Sequence, residues 1–388
     1  MTEDLAGTAA LSSAATEALL ERAQRDVDEG TVPACQLAVG YRGQIVLSEA
    51  FGTADASTPF VLMSASKTVV DSAMWLLLAE GRLSVADHVA DHIPEFGTNG
   101  KERVTIEQLM THTGGFPWAP IDWPEWSDHE ARLQAFASWT LESEPGTRYA
   151  YHPSSASWVI AELIQRASGR DYRDFLREQV LEPLRLADQV SLGAPVETQA
   201  RVLDPVFMLP EETVRQLPPA MASLAPDGTV AVPAGLATAE GRALGFPGAG
   251  VVATAEGIAL LYQEFMHNSR GLWDQELLTD VTSNVRVRLP DEHGVPILRT
   301  LSMVTAGDRE GRRGPTSRAF FGGTVSDTAF GHLGLGGNLA WADPASGLSF
   351  CYLTNGIAFL PGFPDFRAFD RAGELSTFAG TLLEGVPR

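Results

Sequence analysis

Lysine is almost missing from this chain. Of its 28 Lys and Arg residues, only Lys67 and Lys101 are lysines. A sequence that uses arginine nearly everywhere keeps lysine where guanidinium cannot serve, because a desolvated amine can lose its proton and guanidinium cannot. Cysteine is equally scarce. Cys35 and Cys351 both fall in strand-like runs, and no disulfide framework is implied. No stretch of about 18 apolar residues occurs, so no membrane span is expected. The first ten residues carry Glu3 and Asp4 without a basic region or a long apolar core, which does not read as a secretory signal. Asn-x-Ser/Thr is absent as well, and a cytoplasmic location is the expectation. Cationic surface is also lacking: 49 Asp and Glu give a net charge of −21, which disfavours nucleic acid and anionic membrane as partners. Neither Gly-x-Ser-x-Gly nor a Walker A motif is present.

What is present reads as a globular enzyme. The 388 residues are 44% hydrophobic and 20% charged, enough for one large domain or two moderate ones. Residues 12–29 form an amphipathic pattern that Ser12 or Ser13 can cap and Gly30 ends. Cys35, Leu37 and Val39 alternate, Arg42-Gly43 makes a turn, and Ile45, Leu47 and Ala50 alternate again, predicting a β-hairpin. A third extended piece, 60–63, leads into helical periodicity that Gly81 stops. Helices are expected over 105–110, 129–139, 154–168 and 172–180, and irregular structure over 190–250. Thr254 caps a further helix running to Met266, and a Gly/Arg-rich loop covers 307–323. Strands 338–342 and 348–354 flank an Asp-Pro-Ala-Ser-Gly turn, and an amphipathic helix follows residue 363. Strands at both ends and helices between predict an α+β fold: an antiparallel sheet flanked by helices, with an all-helical part inserted. The expected division is 1–63 with 240–388, and 64–239.

Three constellations carry chemistry. In Ser64-Ala65-Ser66-Lys67 a serine and a lysine share one face of a helix start, where unpaired backbone N–H groups favour negative charge. A hydroxyl, an amine base and free N–H donors are what nucleophilic acyl chemistry requires. Tyr149-Ala150-Tyr151-His152-Pro153 follows a Pro-Gly turn, and a tyrosine there is either a core aromatic or a proton relay. Gly331-His332-Leu333-Gly334-Leu335 lets a ligand approach the backbone, and His332 can donate to a bound carbonyl or carboxylate. Trp118, Trp123 and Trp126 sit in a long loop and are candidates for an apolar pocket wall, or else for core. His88, His92 and His112 lack metal-ligand spacing, and solvated or capping roles are expected for them. Gly248-Ala249-Gly250-Val251-Val252-Ala253 mimics a dinucleotide fingerprint without the βαβ context that would give it meaning.

In this order the three elements resemble the serine β-lactamase and penicillin-binding-protein-like superfamily, most closely its class C and family VIII carboxylesterase branch. The flanks Gly81-Arg82-Leu83-Ser84 and Gln108-Leu109-Met110-Thr111-His112-Thr113-Gly114-Gly115 share in the likeness. The resemblance implies a β-lactamase/transpeptidase-like fold. It also implies Ser64 as acylated nucleophile, Lys67 as base and Tyr151, rather than Tyr149, as relay. His332 and Gly334 would stand in the third motif, and the N–H groups of Ser64 and Leu335 would form the oxyanion hole. Two departures matter: Pro153 replaces the Asn of Tyr-x-Asn, and His332 replaces a Lys. Both point away from β-lactams and cell-wall peptides. The expectation is a serine hydrolase needing no cofactor or metal that cleaves a small ester or acyl substrate, acyl transfer to an alcohol remaining open. The alternatives are a β-lactamase or D-Ala-D-Ala-type peptidase, and a non-catalytic binding relative.

Overall fold

Alternation in the first strand decides which surfaces the main sheet presents. In a computed structural model, which describes residues 11–121, 123–208, 236, 238–291, 294, 296–307, 320–357 and 367–383, strand β1 (Ala34–Tyr41) turns back into β2 (Gln44–Gly52). The connection is Arg42-Gly43, both with positive φ (50° and 75°), the backbone of a two-residue turn whose twist matches its strands. Cys35, Leu37 and Val39 point into one apolar cluster, while Ala34 and Ala38 join another on the opposite face. On the first face lies helix α1 (Ser13–Asp28), capped by the Ser12 hydroxyl, together with the C-terminal helix Arg367–Ala379. The helix Ala255–His267, capped by Thr254, covers the second face.

The chain ends meet in this sheet. β10 (Leu348–Thr354) pairs antiparallel with β1, and β9 (Leu339–Asp343) pairs with β10. β8 (Phe330–Leu333) and β7 (Val304–Thr305) complete the order β2-β1-β10-β9-β8-β7. The Asp343–Gly347 turn holds because the Asp343 carboxylate accepts from Ala345 N–H and Gly347 takes φ 76°. Cys35 lies opposite Thr354 and Cys351 opposite Ala38, so the two thiols are not partners and bury themselves on different faces. Gln263 knits helix to hairpin: its amide donates to Gly40 O and Gly347 O and accepts from Gly43 N–H.

A small second sheet positions the site. β3 (Phe60–Val61) and β4 (Val190–Leu192) both pair with β6 (Val251–Ala253). β5 (Val206–Phe207) runs parallel to β11 (Gly356–Ile357). The expectation of irregular structure over 190–250 is therefore corrected at its edges: Val190–Leu192 is strand and Ala239–Leu244 is helix. Residues 209–235, and residues 308–319 of the expected Gly/Arg-rich loop, lie outside the described residues. Among the described residues no helix is long and apolar enough to cross a membrane.

Helix α2 (Ser66–Ala79) runs through the larger cluster and is buried at almost every position. Its Trp75 packs edge-on to Phe265 (5.0 Å) and Trp273 (5.9 Å), and its indole N–H donates to Ser302 Oγ at 3.1 Å. Trp75→Ala is expected to cost about 3–5 kcal/mol, seen as a lower urea midpoint at unchanged slope. A midpoint within experimental error of the parent would show that this cluster does not anchor α2.

Candidate active site

Ser64 sits on a strained corner just ahead of α2 and not within it. After β3, Leu62 is helical, Met63 takes φ 53°, and a 3-10 turn (Met63–Ala65) passes into the helix at Ser66. A left-handed conformation at a long apolar residue persists only where its surroundings enforce it. Two bonds to β6 do so here: Leu62 N–H donates to Val251 O, and Val251 N–H donates to Ser66 Oγ. Ser66 is thereby spent on structure. Between Phe60 and Trp75 only Ser64 reaches solvent.

Lys67 lies one helical turn on, with Nζ 3.4 Å from Ser64 Oγ. The amine also donates to Pro153 O (2.8 Å) and Gly248 O (3.0 Å) and stands 5.1 Å above the Tyr151 ring. Burial brings its pKa down to about 7; Arg299 lowers it further and Asp71, one turn along α2, opposes the shift. The second lysine is a structural pin. Lys101 is fully buried and donates to Thr98 O and Trp139 O; the Thr98 hydroxyl, 3.3 Å away, is itself tied to Ala137 O at 2.7 Å.

Tyr151 reaches the same point from another segment. Its hydroxyl is enclosed with no conventional hydrogen-bond partner. Burial pushes the phenol up to about 12, and the neighbouring Ser64 hydroxyl pulls the other way. Its ring lies 6.3 Å from that of His332. At Gly334 the strand-end backbone presses on the Ser64 corner. An added Cβ there would meet Leu62 O at 2.4 Å and Ala65 N at 3.2 Å. Leu335 begins the turn that follows, so the corner bearing Ser64 and the turn bearing Leu335 face each other.

Several expectations need correction. His332 was expected as a donor, yet its Nδ1 faces Leu333 O at 2.8 Å, and burial, helped by Arg299 and Lys67, holds its pKa well below the usual value. A carbonyl only accepts, so Nδ1 carries the proton and Nε2 offers a lone pair. Trp126 is core, tilted against Phe246 (4.5 Å) and Trp158 (6.3 Å). Trp118 is 65% exposed and is no packed wall. Trp123 opens a 3-10 turn, its side chain lying outside the described residues. His92 and His88 do pair with Asp87 and Asp91 on the surface, but His112 is neither solvated nor capping: it is buried 4.7 Å from Tyr151.

Other participants carried no sequence signal of their own. Pro153, noted for the donor it lacks, contributes its carbonyl to Lys67. The Gly248-Ala249-Gly250 run supplies Gly248 O, and a Cβ at Gly248 would meet Ser157 Oγ at 2.8 Å. Arg299 is buried behind the site, donating to Met110 O and Ser302 O at 3.4 Å. Asp71, fully buried, has its carboxyl pushed up to about 7 by desolvation, which Arg299 opposes.

The geometry now has relatives to stand beside. The family model described as Beta-lactamase matches residues 19–367. The chain belongs to the Beta-lactamase family. This Beta-lactamase-family chain is 28% identical over 348 residues to "Esterase/beta-lactamase LipL" of Mycobacterium tuberculosis (strain ATCC 25618 / H37Rv), covering 82% of this chain and 76% of that protein. Among solved structures it is similar to a penicillin-binding protein homolog from Caulobacter crescentus (26% identity, TM-score 0.75, 96% and 98% of the two chains). It is also similar to a family VIII carboxylesterase (22%, TM-score 0.73, 94% and 98%). The fold is accordingly β-lactamase/transpeptidase-like.

Gly334→Ala tests how closely strand and corner meet. The added methyl must displace backbone, so a loss of about 1–3 kcal/mol is expected in urea denaturation. An unchanged midpoint would contradict the close approach.

Proposed function

We propose that this family member is a serine esterase acting through an acyl-enzyme on Ser64. The observation that carries the proposal is the Lys67 amine, buried, 3.4 Å from a partly exposed serine hydroxyl and titrating at about 7. A base poised near neutral pH can take the hydroxyl proton as Oγ attacks the ester carbonyl. Tyr151, raised to about 12, is a protonated phenol at neutral pH and so serves as relay between Oγ, Nζ and the departing alkoxide, while Lys67 is the resting base. The N–H groups of Ser64 and Leu335 are the donors for the oxyanion. Water, or an alcohol, then attacks the acyl-enzyme by the reverse route.

Two features favour an ester over a β-lactam or peptide. Pro153 has no donor to offer a substrate amide, and its carbonyl is engaged by Lys67. Neutral His332 offers an acceptor instead of fixed positive charge, which suits a hydroxyl better than a carboxylate. The mycobacterial relative is named an esterase/beta-lactamase, and the esterase half of that name supports the reading.

Short-chain p-nitrophenyl esters, a chromogenic cephalosporin and a D-Ala-D-Ala peptide, each run beside Ser64→Ala, test the reading. Ester turnover should dominate and fall about 10³-fold or more in Ser64→Ala. Turnover surviving that change, or confined to the cephalosporin or peptide, would sink it. Lys67→Arg should lose about 10²–10⁴-fold, as severely as Lys67→Ala, because guanidinium cannot accept the proton; near-normal rates in the arginine variant would remove Lys67 from the base role.

The pH dependence has a definite sign. Below about 7 Lys67 is an ammonium ion and cannot accept a proton. The ester kcat/KM should therefore rise with pH through that value and level off above it. A profile flat from pH 5 to 9 would contradict the assignment.

A further inference from the structure

We propose that His112 is a positioning residue for Tyr151, gripping it from both sides and presenting a neutral imidazole N–H to its ring. This rests on the relay role proposed for Tyr151. The residues flanking the tyrosine both bond to this one histidine: Ala150 N–H donates to His112 O (3.1 Å), and His152 N–H donates to His112 Nδ1 (3.4 Å). An Nδ1 that accepts leaves the proton of a neutral imidazole on Nε2. That Nε2 is buried and has no hydrogen-bond partner. Of the aromatic rings around His112, that of Tyr151 is nearer than those of Tyr149 and His152, with centroids 4.7 Å apart and planes at 61°.

The neighbours exclude other roles for this proton. His152, stacked on His112 at 5.6 Å, has both nitrogens engaged: Nε2 accepts from Phe116 N–H and Nδ1–H donates to Ala150 O. Burial disfavours charge on His112, and Arg299, His152, Lys67 and His332 add to it, so the ring stays neutral. His112 holds φ 59°, a conformation that costs little only for glycine and for residues such as Asn, Asp and His. An N–H directed at a phenol face is a weak bond at rest. It strengthens as the ring gains negative charge while passing a proton, and an interaction that grows toward the transition state raises rate more than affinity.

Two variants separate this role from scaffolding. His112→Asn keeps an acceptor near Nδ1 and tolerates the left-handed backbone, but has no group reaching the Nε2 position. His112→Gln extends an amide N–H toward it. The readout is the second-order rate at which a fluorophosphonate labels Ser64 in the full chain: the P–O bond forms, fluoride leaves, and the hydroxyl proton passes by way of Tyr151 to Lys67. His112→Asn is expected to slow labelling about two- to fivefold with the melting temperature unchanged, and His112→Gln to recover most of the loss. No labelling of Ser64 in the parent protein would overturn the esterase reading on which this depends. Parent-like labelling of His112→Asn would overturn the role of His112 alone, leaving that reading intact. Equal slowing in both variants together with a lower melting temperature would reduce His112 to scaffold and also overturn the proposal.

Discussion

The Lys67 amine is withdrawn from water among chain segments 86 and 181 residues away in sequence, where Pro153 and Gly248 each turn a backbone carbonyl toward it. Removing an ammonium from water is costly, and carbonyl dipoles offset only part of that cost. The remainder appears as an amine whose pKa falls from 10.5 to about 7, a differential on the order of 5 kcal/mol. Because the folded chain holds this proton less tightly than the unfolded one, the contribution of Lys67 to stability rises with pH between those two values. Much of the surrounding structure serves to keep the amine there. The Met63 corner, the bonds between that corner and β6, and the close approach of Gly334 all hold Ser64 against it.

Behind this arrangement lies a layer of buried polar groups that never meet solvent. Arg299 is a permanent cation under the site, and it disfavours charge on Lys67, His112 and His332 together. Neutral imidazoles, a protonated phenol and an amine near its titration point therefore share one enclosure without salt-bridging each other. Acid–base chemistry at neutral pH depends on such a balance, in which environment and not residue type assigns each proton.

Much of the architecture was legible in the sequence. The alternation in β1 and β2, the Arg42-Gly43 turn, the Ser12 and Thr254 caps and the Asp343–Gly347 turn are local signals, and each formed as local physics requires. Strand Val190–Leu192 was hidden because it is too short to show periodicity and exists only through pairing with β6. Lysine scarcity was a sound signal but pointed at two residues, and both are buried on backbone carbonyls. Each also has a hydroxyl in reach, but the Thr98 hydroxyl beside Lys101 is committed to Ala137 O and the ring over that amine is Phe96, whereas Lys67 has Ser64 and Tyr151.

The sequence by itself determined the α+β plan, the Ser64–Lys67 adjacency and the ordered motifs, because helix spacing, turn chemistry and hydrophobic period act over a few residues. Tertiary structure alone decided the protonation states. Whether His332 donates or accepts, whether His112 is wet or enclosed, and which carbonyls hold the amine all depend on groups far apart in the chain. Desolvation and hydrogen-bond partnership are properties of an enclosed space, and that space is formed only when β6, β8 and the 150–153 segment close around α2.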